Sequence, residues 1–154
     1  MIALKACRIN SIDIFYADNV FEHFFPDEAE NIYFEVVKKL KKDANVFLII
    51  PNRFIRPHDV SGWFLPFGSK AKGFHFMEMR FNDITKQMET YKINHSHCVF
   101  RIPKRAKMFC VKNKVLFKTK LKLEPIFAKI PFKFLRRAMF AIGEYGVSIM
   151  KCNK

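Results

Sequence analysis

The sequence predicts a single α/β domain, because two stretches with strand character flank a helical stretch near the amino-terminal end. Residues 11–17 have the alternating faces of a short strand, and residues 46–50 are continuously apolar, which suits a strand covered on both faces. Between them Ile32, Val36 and Leu40 recur every four residues, which is typical of an amphipathic helix. The 154 residues suffice for one domain and are short for two.

The helix carries its own start and stop signals. Pro26 and Asp27 open it, and Glu30 follows Asp27 at the spacing of a capping box, in which a carboxylate accepts an otherwise unpaired backbone N–H. Cations stand at its carboxyl end, where the helix dipole is negative, namely Lys38, Lys39, Lys41 and Lys42. These signals predict a helix that begins near Asp27 and ends among the lysines.

A strand, a helix and a buried strand in succession make a βαβ unit, whose two strands run parallel. Ligand sites of such units lie at the carboxyl ends of the strands. We therefore expect two groups of residues to share one edge of the sheet, Asp18, Asn19, Glu22 and His23 after the first strand and Pro51, Asn52 and Arg53 after the second.

This core, residues 1–53, is followed by a loop and then by a basic carboxyl part. Residues 54–80 contain several Pro and Gly without a sustained period, which predicts a lid loop. Residues 81–154 are expected to complete the sheet. The elements predicted there are a helix over 83–91 capped by Asn82, a strand over 99–102, a lysine-bearing edge strand over 111–123, a basic amphipathic helix over 131–141 and a closing strand over 146–151.

Positive charge is concentrated in the carboxyl part. The formal net charge is +14, and residues 1–100 carry 13 Lys and Arg against 12 Asp and Glu, whereas residues 101–154 carry 15 against two. Such a field favours an anionic partner, with a solvated basic tail as the plain alternative. The apolar residues between Lys104 and Arg137 can be interpreted in three ways. In order of preference, they pack on the sheet, contact an anionic membrane surface, or take part in nucleic acid binding.

The cysteines and the start of the chain indicate a cytoplasmic protein. Cys7, Cys98, Cys110 and Cys152 are widely spaced and form neither a C-x-x-C pair nor a disulfide framework, which suits a reducing compartment. We see no charged-then-apolar leader and no apolar run near the roughly 20 residues that span a bilayer.

Several motifs follow one another in a recognisable order. An aromatic-Asp strand runs into Val20-Phe21-Glu22-His23, and the second strand is followed by Pro51-Asn52-Arg53. The loop then contains Pro57-His58-Asp59-Val60-Ser61 and Gly73-Phe74-His75-Phe76-Met77-Glu78. In this order and spacing the motifs resemble the fourth strand, fifth strand and following loop of class I S-adenosylmethionine-dependent methyltransferases. The closing strand is similar to the last strand of that family.

The resemblance implies a partial Rossmann-like methyltransferase sheet with flanking helices, S-adenosylmethionine as cofactor and an unknown methyl acceptor as partner. In that family the Gly-rich loop and the residues that hold ribose and adenine precede the strand at Ser11, where this chain has ten residues. The resemblance is therefore to a domain truncated at its amino end, which a complementing polypeptide would complete. The competing hypothesis is a non-catalytic remnant, or a basic binding module for an anionic membrane surface or nucleic acid.

The resemblance also implies roles for individual residues. Methyl transfer from a sulfonium needs alignment, desolvation and sometimes a base, so Glu22 and His23 are the candidate catalytic residues and Asp18 and Asn19 the candidate cofactor-binding residues. The alternatives are a structural role for His23 in the turn and ordinary hydrogen bonding within the loop. The candidate substrate-binding residues are Asn52, Arg53, His58, Asp59, His75 and Glu78.

No metal site is predicted from the sequence. The run Asn94-His95-Ser96-His97-Cys98 would place two histidines on one face of a strand and the cysteine on the other. No second ligand pair has the spacing that zinc sites require.

Overall fold

The computed structural model defines the backbone of most of the chain. It describes residues 2–54, 57, 59–66, 69–102, 107–110, 114–132, 135 and 145–152, with side chains left out at 2–3, 95–102, 107–110, 114, 116 and 145–152. The helices and strands within these ranges are, in chain order, α1 Ile2–Ala6, β1 Ile12–Asp18, α2 Pro26–Lys39, β2 Leu40–Pro51, α3 Phe81–Thr90, β3 Ile93–Ile102, β4 Lys107–Cys110, α4 Lys114–Phe127 and β5 Tyr145–Cys152.

One mixed sheet, in the order β1-β2-β5-β3-β4, organises these elements. β1 and β2 pair in parallel, and α2 connects them, so the predicted βαβ unit is confirmed. The remaining pairs, β2 with β5, β5 with β3 and β3 with β4, are antiparallel. The continuously apolar residues of β2 thus belong to a strand with a neighbour on each side.

The helix α2 begins one residue earlier than its predicted cap. The backbone N–H of Phe25 donates to the Glu28 carboxylate at 3.0 Å, so the capping pair is Phe25 with Glu28 and not Asp27 with Glu30. Pro26 accounts for this, since its fixed φ suits the first helical position. The helix ends at Lys39, and two of the four predicted terminal lysines lie in β2.

β2 starts earlier than the apolar run predicts and contains an irregularity. Its pairing with β1 jumps from Ile12–Leu40 to Ile14–Asn45, which leaves residues 41–44 without a regular partner in β1. Asp43 adopts a φ of +61° there, in the left-handed region that Asp tolerates better than most residues.

The carboxyl part contains the clearest error of prediction. The edge strand predicted over 111–123 is wrong, because the structure has the helix α4 instead. Phe117 and Glu124 are buried and Leu121 is half-buried on that helix, at a spacing of four and three residues, so these residues form a packed face, whereas Lys118 and Lys122 are exposed. Most of the predicted helix over 131–141 lies outside the described residues.

Two other predictions in this part need new bounds. α3 begins at Phe81, and Arg80 rather than Asn82 precedes it as the cap, with its N–H donating to the Asp83 carboxylate at 3.1 Å. β3 begins at Ile93, well before the predicted strand, whereas the closing strand agrees with β5 to within a residue at each end.

The main core lies between the sheet and the helices α2 and α3. Its buried members include Tyr33, Leu48 and Met88, and Tyr33 stacks on Phe21 with ring centroids 4.4 Å apart. A smaller cluster around Phe117 joins α4 to α3. Among the described residues no helix is both long and apolar enough to cross a bilayer.

Candidate functional site

The carboxyl ends of β1 and β2 lie side by side. In the parallel pairing Asp18 stands opposite Ile49, and the backbone N–H of Asn19 donates to the Ile49 carbonyl at 2.9 Å. β2 ends at Pro51, directly before Asn52. The two predicted groups of site residues therefore share one edge of the sheet, which we call the mouth.

Asp18 and Asn19 form the outer lip of the mouth. The Asp18 carboxylate accepts hydrogen bonds from the Tyr16 hydroxyl at 3.0 Å and from the Asn19 side-chain amide at 2.7 Å. Asn19 has a φ of +51°, so the chain turns sharply where β1 ends. Beside this lip a cavity of about 550 Å³ runs along β1, with Phe15 and Phe21 among its mostly apolar walls.

Glu22 lies behind the lip with its side chain fully buried, in the short 3₁₀ turn Phe21–His23. Neither carboxylate oxygen meets a hydrogen-bond donor from another of the residues that the structure describes. Burial raises the pKa of Glu22, while its own backbone N–H and the imidazoles of His23 and His75 act in the opposite direction. A carboxyl group in such a place either holds a proton or needs a cation.

The lid, residues 54–80, returns to the mouth through backbone contacts. The N–H of Phe76 donates to the Glu22 carbonyl at 2.6 Å. His23 Nδ1 lies 3.2 Å from the carbonyl oxygen of Phe74, and the rings of Phe25 and Phe76 stack with centroids 4.3 Å apart. These contacts hold the end of the lid against the turn that follows β1.

These contacts between the lid and the turn place His75 at the mouth. Its Nδ1 lies 2.7 Å from Oε1 of the buried Glu78, and its ring packs edge-on against that of His23 with centroids 5.0 Å apart. One ligating atom from each of Glu22, His23 and His75 lies within 4.8 Å of the other two. Each residue is a candidate by sequence, but their convergence is not predicted, since α2, β2 and most of the lid separate them in the chain.

The Asp59 carboxylate connects two parts of the lid through hydrogen bonds. Its carboxylate accepts hydrogen bonds from the N–H and hydroxyl of Ser61, from the Gly73 N–H at 2.7 Å and from the His75 N–H at 3.4 Å. Burial acts to raise the pKa of Asp59, but these donors outweigh it and hold the pKa below its ordinary value. The carboxylate therefore positions the lid, and its contact with substrate stays a prediction. His58 lies outside the described residues.

Asn52 and Arg53 continue the mouth toward α3. Asn52 is buried, and its Oδ1 accepts the backbone N–H of Phe54 at 2.9 Å. Arg53 Nη2 pairs with the Asp83 carboxylate at 2.8 Å. A second cavity of about 430 Å³ has both Arg53 and Glu78 in its wall, so two of the predicted substrate-binding residues border one space.

Glu124 is a buried acid to which the sequence analysis assigns no role. Its two oxygens accept the backbone N–H groups of Phe81 and Asn82, at 3.0 and 2.8 Å, and so cap α3 from α4. Burial raises the pKa of Glu124 to about 7 despite these two donors. The available signal is charge, since Glu124 is one of two acids among residues 101–154.

Comparison with known proteins bears on the fold. No family model and no curated protein matches the chain. An S-adenosylmethionine-dependent methyltransferase from Archaeoglobus fulgidus matches 97% of the chain with a TM-score of 0.58 and 12% identity, and the chain spans 63% of the length of that protein. The cyclase SpnF matches 96% of the chain, over 52% of its own length, with a TM-score of 0.49 and 11% identity. The chain therefore shares the fold of an S-adenosylmethionine-dependent methyltransferase over nearly all of its length.

Proposed function

We propose that the chain takes part in methyl transfer from S-adenosylmethionine to an acceptor held between the mouth and the lid. The observation that carries the proposal is the parallel pairing of β1 with β2, which brings Asp18 and Asn52 to one edge of the sheet. In open α/β sheets that edge is where ligands bind. The fold shared with the Archaeoglobus methyltransferase supports the same assignment.

The residues at the lip fit one end of the cofactor. The Asp18 carboxylate and the Asn19 amide offer polar partners for an amino acid group, and the adjoining cavity offers apolar walls for a carbon chain. Bound S-adenosylmethionine supplies a methyl group already activated on a sulfonium, so the protein mainly aligns the reactants and excludes water. We assign Asp18 and Asn19 to the cofactor side of the mouth.

Glu22 and His23 are assigned to the acceptor side. The carbonyl of Phe74 can only accept a hydrogen bond, so Nδ1 of His23 carries a proton, and in the neutral imidazole Nε2 keeps a lone pair. That lone pair can take a proton from the acceptor as the methyl group arrives. The buried carboxylate of Glu22, when ionised, stabilises the imidazolium that results.

The acceptor itself is proposed to enter the cavity beside the lid. Arg53 and Glu78 border that cavity and are the residues that we expect to contact the acceptor. Asn52 accepts the backbone N–H of Phe54 and Asp59 accepts that of Gly73, so we propose that they shape the lid beside this cavity. His58 keeps its assignment to substrate binding as a prediction from the sequence.

Calorimetric titration with S-adenosylmethionine tests the cofactor assignment. We expect saturable heat at micromolar to millimolar ligand, an affinity at least tenfold weaker in Asp18→Ala, and an affinity within twofold of the wild type in His23→Ala. With labelled methyl donor and a lipid and small-molecule extract as acceptor pool, His23→Ala should slow transfer by about 10²- to 10⁴-fold.

Glu35→Gln is the matched control, because Glu35 lies on α2 outside the mouth and pairs with Lys38. It should leave both affinity and transfer unchanged. An absence of heat at millimolar ligand would exclude cofactor binding by this chain alone. A loss of cofactor affinity in His23→Ala would contradict the acceptor-side assignment.

A further inference from the structure

The cluster of Glu22, His23 and His75 has a feature that methyl transfer does not require. Glu22 is fully buried, and neither of its oxygens receives a hydrogen bond from another described residue. Burying a carboxylate without a donor or a counter-charge is costly, and proteins that retain such a group commonly protonate it or bind a cation there. Two imidazoles stand within reach of these oxygens.

Both imidazoles have an acceptor at Nδ1, as metal-binding histidines usually do. Nδ1 of His23 faces the Phe74 carbonyl at 3.2 Å, and Nδ1 of His75 faces the Glu78 carboxylate at 2.7 Å. Since a carbonyl and an ionised carboxylate only accept, each Nδ1 carries a proton, and in the neutral imidazole each Nε2 keeps a lone pair that can bind an ion. Histidines that bind metals in proteins usually donate their second ring N–H to such an acceptor, which fixes the ring and its tautomer.

We propose that Glu22, His23 and His75 bind a divalent transition-metal ion, for which Zn²⁺ is the best match. Two imidazole nitrogens and one carboxylate suit a borderline ion better than Mg²⁺ or Ca²⁺, which prefer oxygen ligands. Three protein ligands leave a fourth position open, as in catalytic zinc sites. Glu78 and the Phe74 carbonyl then support the ligands without touching the ion.

The distances require only a small adjustment. Ligand atoms about 2.1 Å from a tetrahedral ion lie about 3.4 Å from one another. In the structure the three ligating atoms lie within 4.8 Å of one another. We expect small side-chain rotations to close the difference, because His23 and His75 belong to a turn and a loop and not to the sheet.

An ion at this place also bears on the proposed function. The binding inference stands without methyl transfer, but if transfer occurs, the ion would lower the pKa of an acceptor hydroxyl in place of a free imidazole. Loss of His23 slows transfer in either case. Metal binding and cofactor binding are therefore measured separately.

The test is titration of the metal-free chain with Zn²⁺ by calorimetry, and with Co²⁺ by visible absorption. We expect one ion per chain, binding at least 100-fold weaker in His75→Ala and Glu22→Gln, and binding 10- to 100-fold weaker in Glu78→Gln, which changes only a supporting group. Glu35→Gln is the control, because Glu35 is a partly exposed carboxylate on α2 outside the mouth, and this variant should bind as the wild type does.

Several results would overturn the proposal. One is an absence of Zn²⁺ binding by the wild type, and another is equal Zn²⁺ affinity of His75→Ala and the wild type. A third is a Co²⁺ spectrum dominated by thiolate charge transfer, because that spectrum would place the ion on cysteines. If Glu22→Gln fails to fold by circular dichroism, His75→Ala and His23→Ala decide the question. Failure to bind S-adenosylmethionine would leave these results unaffected, so the two proposals fail separately.

Discussion

The buried acids of the described chain are stabilised in different ways. The Glu124 carboxylate accepts hydrogen bonds from two backbone N–H groups at the start of α3, and the Glu78 carboxylate accepts one from Nδ1 of His75. Glu22 faces two imidazoles and receives no hydrogen bond from another described residue. A structural acid is normally supplied with donors, so the absence of donors at Glu22 among the described residues supports the metal site proposed for it.

The raised pKa of Glu124 gives the stability of the fold a defined pH dependence. The folded pKa, about 7, lies above that of the unfolded chain, so the folded state binds more protons in the interval between them. The stabilisation from protonated Glu124 is therefore complete at acid pH and is lost as pH rises through about 7. Arg80 and Asp83 beside it act in opposite directions and are smaller influences than burial.

We expect the free energy of unfolding of the wild type, relative to Glu124→Gln, to fall by on the order of 3 kcal/mol between about pH 4.5 and 7 and to level off above. Urea denaturation across this range measures the difference. Glu22 also has a raised pKa but is present in both proteins, so its contribution cancels. Parallel stability curves for the two proteins would contradict the buried, proton-binding role of Glu124.

At the scale of elements, the lid depends on the close contact between Gly73 and the Asp59 carboxylate. A Cβ at Gly73 would clash with the carboxylate of Asp59, which already accepts the Gly73 N–H at 2.7 Å. We expect Gly73→Ala and Asp59→Asn each to destabilise the protein by about 1–2 kcal/mol and to expose the lid to proteolysis. Limited proteolysis with mass analysis of the fragments measures the effect.

Lys72→Ala is the control for the lid. The backbone N–H of Lys72 donates to the Ser61 hydroxyl at 3.1 Å, and that bond survives the loss of the side chain. Its cleavage rate should stay within twofold of the wild type. Equal protection of the lid in Gly73→Ala would mean that the contact between Asp59 and Gly73 does not hold it.

Periodicity explains which elements the sequence could predict. β1, α2 and β5 lie where the sequence analysis expects them, because each has one dominant apolar period and a local stop signal. The alternation of lysine and apolar residues over 116–123 predicts a strand where the structure has α4, and only the packing of α4 against α3 reveals the helical face of Phe117 and Glu124. Packing against α3, rather than the local sequence pattern, therefore determines that these residues form a helix.

The same distinction applies to the site. The edge that joins Asp18 to Asn52 follows from the βαβ pattern and could be predicted. The meeting of His75 with Glu22 could not, because it depends on how the lid folds back through the Phe76 N–H and the stacked ring of Phe25. Loop paths of this kind carry no period in the sequence.

At the scale of the whole molecule, the sheet has β1 at one end of its described order. Ile14 and Tyr16 on this strand are each 60% exposed, and the apolar cavity near the lip runs beside it. We propose that a complementing polypeptide would add its strand at β1. The membrane surface considered for the basic part also stays a proposal, supported by the exposed side chains of Phe132 and Leu135.

An edge strand that exposes apolar side chains, as β1 does through Ile14 and Tyr16, tends to pair with a second copy of itself, and a lysine among those side chains opposes this. We expect the wild-type chain to self-associate with rising concentration and Ile14→Lys to remain monomeric, as sedimentation velocity would show. Ile126→Lys on α4 is the matched control, because Ile126 is also 60% exposed and the substitution is identical. If both variants dissociate to the same extent, net charge rather than the β1 edge governs association. A wild type that is monomeric at every concentration would show that this edge does not recruit a strand from another copy of the chain.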